Sequence, residues 1–379
     1  MNQSKILNPI KVLWVLPTLE GGGAERAIVT ILKHLDRTNI EPILCLFYRR
    51  GVFLKEVEEA GIPIVSLENG RFPPTTLYKL TQTIRQLKPN ITIGVLRRCS
   101  MLTTLAHKLS GHKGRVFINE QNTPSVEMKQ FGNEKLKRLG YKPFLQMADG
   151  VLAISEGITK DLVTHFQMPS HKIKVIPNPV EIKIIQEKAQ KKVAHPWFDT
   201  KFHTIVSVGR LHPQKGHDIL IEAFATVKTA VSNAKLVIVG QGPEQANLSR
   251  QITQLNLDDS IDLVGFQDNP YTFMAQADLF VLASRYEGFG IVLAEALALN
   301  MAVIATNCPS GPADILDHGK AGILVESEKV DQIGTAIINH LQNPDSSELK
   351  KQYALSHVAQ FSETAVANQY INYFKASLQ

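Results

Sequence analysis

Short apolar segments alternate with amphipathic segments along the whole chain. In the first half, runs short enough for buried strands are Ile10–Leu16, Pro42–Phe47, Ile62–Leu67, Ile91–Leu96, Arg115–Asn119, Gly150–Ile154 and Lys172–Ile176. The second half repeats the pattern at Thr204–Val208, Lys235–Val239, Ile261–Val264, Leu279–Leu282, Ala302–Ala305 and Gly322–Val325. Segments between these runs have helical spacing, for example Ala24–Leu35, Thr76–Leu87 and Leu136–Met147. Strands separated by helices predict an α/β fold with parallel sheets covered on both faces.

The length of the chain and one proline-rich segment predict two domains. With 379 residues, the chain exceeds the usual size of a single domain. Pro177-Asn-Pro179 interrupts regular structure between the two sets of strands, because proline continues neither a helix nor a central strand. We therefore expect an N-terminal domain at residues 1–178, a C-terminal domain at 179–361 and a last helix within 362–379.

The composition favours a globular protein of the cytoplasm. Hydrophobic residues make up 44% of the sequence. Cys45, Cys99 and Cys308 are odd in number, lack metal-ligand spacing and are typical of reduced thiols. Met1–Pro9 is polar and has no apolar core of a signal peptide. No apolar stretch is long enough to span a membrane, so the sequence predicts a cytoplasmic localisation.

Charge is distributed unevenly between the two halves. Through Val180 the chain has 25 Lys and Arg against 14 Asp and Glu, a net charge of +11, whereas the remainder has 16 against 21, a net charge of −5. A basic cluster with interleaved apolar residues consists of Lys129, Phe131, Lys135, Leu136, Lys137, Arg138, Leu139, Tyr141, Lys142 and Phe144. This pattern is typical of an amphipathic helix on an anionic membrane surface, although the apolar face can instead pack on its own domain. No nucleic-acid-binding motif accompanies the charge, so nucleic acid is not an expected partner.

Residues 284–295 place two carboxylates around the start of a helix. The segment reads Ser-Arg-Tyr-Glu-Gly-Phe-Gly-Ile-Val-Leu-Ala-Glu and follows an apolar strand. Glu287 lies on a glycine-rich turn, and Glu295 lies in the helix that begins near Gly290. A helix N-terminus favours a phosphate, and the two glutamates can accept hydrogen bonds from hydroxyls on either side of it. The pattern indicates a site for a nucleotide-sugar.

A second motif places two cations after another strand. Thr204–Val208 is followed by Gly-Arg-Leu-His-Pro-Gln-Lys-Gly, which contains Arg210 and Lys215. Open α/β sheets bind ligands beyond the carboxyl ends of their strands. An arginine fork and a lysine ammonium suit a diphosphate, and each charge-assisted hydrogen bond contributes roughly 1.5–3 kcal/mol. His212 in the same loop is expected to have a structural role.

A glycine cluster follows the first predicted strand. Gly22 and Gly23 allow the backbone to approach a phosphate without interference from a Cβ atom. The cluster is not G-x-G-x-x-G, so the dinucleotide fingerprint is absent.

These motifs occur together, and in this order, in one family. The sequence resembles retaining glycosyltransferases of family 4, which have the two-domain GT-B fold. The resemblance rests on Gly209-Arg210 with Lys215-Gly216, Glu287 with Glu295, Pro309-Ser-Gly-Pro312, Pro17–Arg26 and Ile176–Val180. It implies two Rossmann-like domains whose parallel sheets face an interdomain cleft, and a C-terminal helix that returns to the N-terminal domain.

The resemblance also implies roles for individual residues. Arg210 and Lys215 would bind the donor diphosphate and stabilise charge on the leaving nucleotide. Glu287 would bind hydroxyls of the donor sugar, and Glu295 would bind the ribose. The remaining donor-binding positions are Gly22, Gly23, Gly265, Phe266, Phe289, Gly290 and Ile291.

Fixed cations at the leaving group make a metal ion unnecessary in this scheme. The sequence has no D-x-D motif, and we expect neither a metal nor a cofactor. Glu287 and Glu295 are both assigned to hydroxyls, so neither is an expected nucleophile for a retaining transfer. The resemblance implies instead a reaction at one face of the sugar, in which the departing phosphate accepts the proton of the acceptor.

Two polar segments of the basic half are candidates for the acceptor. Asn119–Pro124 follows a strand. Many similar enzymes have a histidine near this point and a subgroup has Ser-Glu-Arg-Asn, whereas this chain keeps the Glu and Asn but has Gln121 in place of the arginine. Glu120 can orient or deprotonate an acceptor hydroxyl, or it can belong to a satisfied polar turn. Arg97 and Arg98 can meet an acceptor phosphate or can simply be solvated.

The sequence thus predicts an enzyme that moves a hexose or N-acetylhexosamine from a nucleotide-diphosphate sugar. UDP is favoured as the nucleotide, and GDP stays open. The expected acceptor is a lipid-linked glycan or a polysaccharide, and the expected location is the inner face of the cell membrane. Two alternatives stay open: a non-catalytic nucleotide-sugar or glycan-binding protein of the same fold, and a Rossmann oxidoreductase. The presence of Arg210, Lys215 and Glu287 favours the enzyme, and the absent dinucleotide fingerprint counts against the oxidoreductase.

Overall fold

The computed structural model describes residues 9–68, 74–130, 134–199 and 201–379, which form two compact units. The first unit comprises Met1–Pro179 and Phe361–Gln379, and the second comprises Val180–Gln360. Each unit contains one parallel sheet with helices in its connections, which confirms the predicted α/β class. Phe131 of the basic cluster lies outside the described residues.

The first unit is built on seven parallel strands in the order β3-β2-β1-β4-β5-β6-β7. These strands are β1 Ile10–Leu16, β2 Ile40–Leu46, β3 Ile64–Ser66, β4 Ile91–Val95, β5 Arg115–Glu120, β6 Gly150–Ala153 and β7 Ile173–Val175. The helices between them are α1 Gly23–His34, α2 Leu54–Glu59, α3 Pro74–Leu87, α4 Arg97–Ser110, α5 Pro124–Gln130, α6 Glu134–Met147 and α7 Glu156–Phe166. Every apolar run of the first half corresponds to one of these strands.

The second unit is built on six parallel strands in the order β10-β9-β8-β11-β12-β13. The strands are β8 His203–Val208, β9 Ala234–Val239, β10 Ile261–Gly265, β11 Leu279–Leu282, β12 Ala302–Thr306 and β13 Ile323–Val325. The helices are α8 Ile182–Ala189, α9 His217–Ala230, α10 Gln245–Gln254, α11 Tyr271–Met274, α12 Ile291–Ala298, α13 Pro312–Ile315, α14 Val330–Gln342 and α15 Glu348–His357.

The strands are apolar on both faces because helices cover both faces. In β1, residues 12–16 are all buried, and in β11 all four residues are buried. An alternating pattern would leave every second residue in water, whereas these continuous runs bury all of them. This is why short apolar runs, rather than alternation, identified the strands.

The last helix, α16 Glu363–Ser377, belongs to the first unit. It packs on β1 through aromatic contacts, with ring centroids of Trp14 and Tyr370 5.4 Å apart and those of Trp14 and Phe374 6.3 Å apart. All three side chains are fully buried. Ser362 caps the helix by accepting a hydrogen bond from the backbone N–H of Ala365. The helix therefore completes the core of the first unit.

Each sheet reverses its strand order once. In the first unit the reversal lies between β1 and β4, and in the second it lies between β8 and β11. Loops that leave two such strands run to opposite sides of the sheet, which opens a crevice at their carboxyl ends. The reversal therefore marks where a ligand site is expected in each unit.

The three cysteines and the lengths of the helices both relate to predictions made from composition. Cys45, Cys99 and Cys308 are free thiols and are buried. None of the helices that the structure describes is long and apolar enough to cross a membrane.

Candidate functional site

The predicted cation and carboxylate of the second unit are in direct contact. Lys215 Nζ donates to Glu287 Oε1 over 2.6 Å, although the two residues are far apart in the chain. Lys215 ends a one-turn 3₁₀ helix between β8 and α9, and Glu287 lies in the loop between β11 and α12. The structure thus brings the two motifs together at the strand-order reversal of this sheet.

Glu287 is held from three sides. Ser284 Oγ donates to the same Oε1 atom over 2.7 Å, and the backbone N–H of Glu287 donates to Pro309 O over 3.1 Å. Ser284 is itself fixed, because Thr306 Oγ1 donates to its carbonyl over 2.5 Å. The carboxylate is only 5% exposed, so its position is set by protein groups rather than by water. Such fixation presents the carboxylate to a ligand with little reorganisation.

Glycines allow the loops of this site to approach each other closely. Gly216 has a φ of +63°, and a Cβ there would lie 2.0 Å from the carbonyl oxygen of Ala283. Gly311 has a φ of +92°, and a Cβ there would lie 2.0 Å from the carbonyl oxygen of Phe289. Both positions exclude a side chain on steric and conformational grounds. They explain why the Lys215 loop and the Pro309–Pro312 loop contact the Glu287 loop.

The expected phosphate-facing helix begins as predicted. Gly290 is the N-cap of α12 with a φ of +88°, and Ile291 is the first helical residue. The first backbone N–H groups of a helix have no intrahelical acceptor, so they are available to an anion. Phe289 is buried immediately before the cap.

Glu295 lies in α12 and is fixed by a tyrosine. Its side chain is 8% exposed, and Tyr271 OH donates to its Oε1 over 3.0 Å. Tyr271 begins α11, which precedes β11, whereas α12 follows that strand, so the contact could not be read from sequence spacing.

Three other predicted donor residues lie at strand ends of the same sheet. Arg210 follows β8 and is exposed. Gly265 ends β10 with a φ of +72° and accepts a hydrogen bond from the backbone N–H of Gly240 over 2.8 Å. Phe266 is next to it and is 62% exposed, which is unusual for a large aromatic side chain.

The electrostatic effects of the Lys215–Glu287 pair extend to two buried neighbours. Burial and the charge of Lys215 lower the pKa of His217 to about 4. Burial and the charge of Glu287 raise the pKa of Cys308 to about 12. His217 is therefore neutral and Cys308 is a thiol near neutral pH.

A second ion pair braces the Lys215 loop. Arg285 donates to both carboxylate oxygens of Asp218, over 2.8 and 2.7 Å, and to the carbonyl of Pro213 over 2.7 Å. These hydrogen bonds raise the pKa of Arg285. His212 caps the 3₁₀ helix by accepting from the backbone N–H of Gln214, as its expected structural role requires.

The first unit presents its glycine cluster at the reversal between β1 and β4. Gly22 is the N-cap of α1, and a Cβ there would lie 2.2 Å from Glu25 Oε2. Gly23 begins the helix, is exposed, and has open space around its Cβ position. A backbone approach by a ligand is therefore sterically open at Gly23.

Glu120 ends β5 and is 2% exposed. Tyr141 OH on α6 donates to its carboxyl group. Burial raises the pKa of Glu120 to about 8, against the opposing effect of the Tyr141 hydrogen bond. The structure thus ties the end of β5 to α6 through a carboxyl group that lies away from solvent.

Gln121, the departure from the family pattern, belongs to a chain of buried amides. It donates to Asn119 Oδ1 and accepts from Asn178 Nδ2 over 2.9 Å. Asn119 in turn donates to Tyr370 OH on α16 over 3.1 Å. An arginine could not make both of these contacts, since it has no acceptor atom.

The acceptor candidates Arg97 and Arg98 differ in environment. The Arg97 side chain is 13% exposed and donates to Glu127 Oε1 over 3.1 Å. Arg98 is exposed. Both arginines lie in the first turn of α4 rather than in a loop, and of the two only Arg98 is exposed to water.

Several residues of the site carried no signal in the sequence. Ser284, Thr306 and Tyr271 fix the two glutamates, and Tyr141 fixes Glu120, all through contacts that depend on the fold. Among the described residues, His, Cys, Asp and Glu side chains form no group of three that could hold a metal ion.

Comparisons with known proteins identify the family of the chain. Residues 21–183 match the model of Glycosyltransferase Family 4, and residues 188–357 match that of Glycosyl transferases group 1. An N-acetylgalactosamine-N,N'-diacetylbacillosaminyl-diphospho-undecaprenol 4-alpha-N-acetylgalactosaminyltransferase from Campylobacter jejuni is 30% identical over 94% of this chain and 97% of its own length. A lipopolysaccharide 1,6-galactosyltransferase from Escherichia coli is 28% identical over 84% of this chain and 85% of its own.

Solved structures show the same fold. HepE from Anabaena, in complex with UDP and glucose, superposes with a TM-score of 0.79 at 21% identity and covers 97% of this chain and 99% of that one. The two Rossmann-like units are those of the GT-B fold. The chain belongs to glycosyltransferase family 4.

Proposed function

We propose that this glycosyltransferase moves a hexose or N-acetylhexosamine from a UDP-sugar to a lipid-linked glycan or polysaccharide, with retention of configuration and without a metal ion. The observation that carries the proposal is the contact of Lys215 with Glu287 at the strand-order reversal of the second unit. A cation for a diphosphate and a carboxylate for a sugar stand side by side there, at the place where open α/β sheets bind ligands.

The donor would be bound by groups that the fold already fixes. Lys215 and Arg210 bind the diphosphate, and the backbone N–H groups at Gly290 and Ile291 add the N-terminus of α12. Glu287 accepts hydrogen bonds from hydroxyls of the sugar. Glu295, oriented by Tyr271, accepts those of the ribose.

A UDP donor is supported by one side chain and by the structural relatives. Phe266 is an exposed aromatic ring at the end of β10 and can stack on a base. HepE, which shares the fold, is known in complex with UDP and glucose.

In the proposed reaction, the acceptor hydroxyl attacks the anomeric carbon on the face from which the nucleoside diphosphate departs. The bond from the anomeric carbon to the diphosphate oxygen breaks, and the bond to the acceptor oxygen forms. The departing phosphate takes the proton of the hydroxyl, and Lys215 and Arg210 stabilise its charge. Glu287 is held by Lys215 and Ser284, which suits a binding role rather than that of a nucleophile.

The proposed acceptor follows from the relatives and from the charge of the chain. The Campylobacter jejuni relative acts on a diphospho-undecaprenol-linked sugar, and the Escherichia coli relative acts on lipopolysaccharide. The half of this chain that precedes Glu181 has a net charge of +11, which suits anionic membrane lipids. We therefore propose a peripheral location at the inner face of the membrane.

Glu120 has a different proposed role from direct proton transfer. Its 2% exposure and its hydrogen bond from Tyr141 suit a residue that positions α6 relative to β5. A base that acts on the acceptor would have to lie within hydrogen-bond reach of its hydroxyl.

A screen for slow donor hydrolysis tests the proposal without knowledge of the acceptor. The protein is incubated with UDP- and GDP-sugars, in the presence of a chelator, and the released sugar is followed by proton NMR. We expect release from a UDP-sugar, with the first product in the anomeric configuration of the donor. Inverted product, dependence on added metal, or a covalent glycosyl adduct detected by mass spectrometry would each overturn the corresponding part of the proposal.

A further inference from the structure

An apolar groove lies between α4 and α6 in the first unit. It has a volume of about 190 Å³ and is lined by Arg98, Met101, Leu102, Leu105 and Phe144. The four apolar side chains are each only partly buried, so they face the groove and not only the core. Arg98 is the one charged group of this lining and is exposed to solvent.

The groove borders an exposed apolar stripe on α6. Leu136, Leu139, Pro143 and Met147 are spaced to lie on one face of the helix, and all are exposed, with both leucines 70% exposed. The opposite face packs on the unit through the buried Tyr141 and Leu145. Packing on its own domain therefore does not account for all the apolar residues of this helix. Contiguous exposed apolar surface of this kind marks an interaction site.

The charges around the groove favour an anionic occupant. Helix α6 contains four basic residues and one acidic residue, and α4 contains three Lys and Arg with no acidic residue. A hydrocarbon chain in the groove would place an attached phosphate beside Arg98, whose guanidinium fork suits it.

The groove also adjoins the candidate acceptor residues. Helix α4 begins at Arg97, whose charge acts to lower the pKa of Glu120. Tyr141 of α6 donates a hydrogen bond to the same carboxyl group.

We propose that the groove between α4 and α6 binds the hydrocarbon chain of a polyisoprenyl diphosphate acceptor, with its diphosphate at Arg98. The inference rests on the proposed function, because it takes the acceptor to be lipid-linked. It adds a subsite that would select the lipid part of the acceptor independently of its sugar.

Titration calorimetry of the full chain with two soluble probes, in the presence of UDP, tests this subsite. We expect farnesyl diphosphate to bind at least about tenfold more tightly than inorganic diphosphate, since each buried methylene contributes a factor of roughly four. Met101→Gln and, separately, Phe144→Ala should remove most of this preference and leave inorganic diphosphate unchanged. Arg98→Ala should weaken both probes.

Two controls separate the possible outcomes. Leu349→Gln removes an exposed leucine from α15 in the second unit and should change nothing. Phosphatidylglycerol vesicles should bind the groove variants as they bind the unmodified protein. Equal affinity for the two probes, or a loss of vesicle binding with farnesyl diphosphate affinity intact, would overturn the subsite. Donor hydrolysis does not involve the groove, so its failure would overturn the proposed function separately.

Discussion

Folding removes the carboxyl group of Glu120 from water and leaves it one hydrogen bond from a tyrosine. Burial favours the protonated form, so the folded protein holds this proton up to a pKa of about 8, whereas the unfolded chain releases it near 4.5. The folded state binds more protons between these values. Stability from this group is therefore present at low pH and is lost as the pH rises through about 8.

Glu120→Gln should remove this pH dependence. The amide oxygen can still accept from Tyr141, but it carries no charge to bury. We expect unfolding free energies to fall between about pH 5 and about pH 8 by on the order of 3–4 kcal/mol more in the unmodified protein than in the variant. Urea denaturation at both pH values measures the difference. Glu59→Gln, at an exposed position of α2, is the control. Parallel pH profiles for the protein and Glu120→Gln would contradict the burial argument.

At the residue scale, the sequence supplied candidate side chains but not the contacts that hold them. Arg210, Lys215 and Glu287 were chosen because they lie in loops after strands, and Glu295 because it lies in the helix that follows Glu287. Their partners were not, because a serine before a loop or a tyrosine in a short helix has no distinctive pattern. The contact between Lys215 and Glu287 depends on β8 and β11 being neighbours, which strand order alone decides.

Helix α16 shows how an element far along the chain completes an earlier core. Phe374 is fully buried against Trp14 and Tyr370. Phe374→Ala should lower the unfolding free energy by about 3–5 kcal/mol, because it removes the transfer energy of the ring and leaves a cavity. Urea denaturation measures the loss. Lys375→Ala on the exposed side of the same helix should cost little, and an equal effect of the two changes would contradict the packing.

Helix α6 is the element for which the sequence left two readings open. The structure buries Tyr141 and Leu145 but leaves Leu136 and Leu139 exposed, so part of the apolar surface packs on the unit and part does not. Periodicity could not separate these, because both faces of the helix contain apolar residues.

Replacing Lys135, Lys137 and Arg138 by glutamine should weaken binding to anionic vesicles. Each basic residue near an anionic surface contributes about 1 kcal/mol, and salt screens the attraction. Vesicle sedimentation at low and high salt measures both effects. Replacement of Lys188, Lys191 and Lys192 in the second unit removes the same charge and should have much less effect. Binding that responds to neither the first set of changes nor salt would exclude α6 as the membrane contact.

At the scale of the whole molecule, the alternation of apolar runs and helical segments predicted the α/β class and every strand. The boundaries shifted by only a few residues, since continuous apolar runs end where strands leave the sheet. Strand order could not be predicted from such runs, because all parallel strands have the same pattern. The family resemblance instead supplied the two-domain GT-B fold, which the structural relatives confirm.

The loops at the strand-order reversals of the two sheets bear on the choice between an enzyme and the two alternative functions. An oxidoreductase needs a glycine fingerprint in the first βα turn, and neither sheet has one at its reversal. A non-catalytic nucleotide-sugar or glycan-binding protein of the same fold could have lost Arg210, Lys215 or Glu287, and this chain has all three. In the second unit, Lys215 contacts Glu287.

The proposed nucleotide-sugar site of the second unit contains Arg210, Lys215 and Glu287. Titration calorimetry with UDP tests this site directly. The unmodified protein should bind UDP and not NAD. Lys215→Met should weaken UDP binding by roughly 10- to 100-fold, as expected for one charge-assisted contact, while Lys201→Met on the surface of the same unit should not. Affinity for UDP that is unchanged in Lys215→Met, or binding of NAD in place of UDP, would contradict the account.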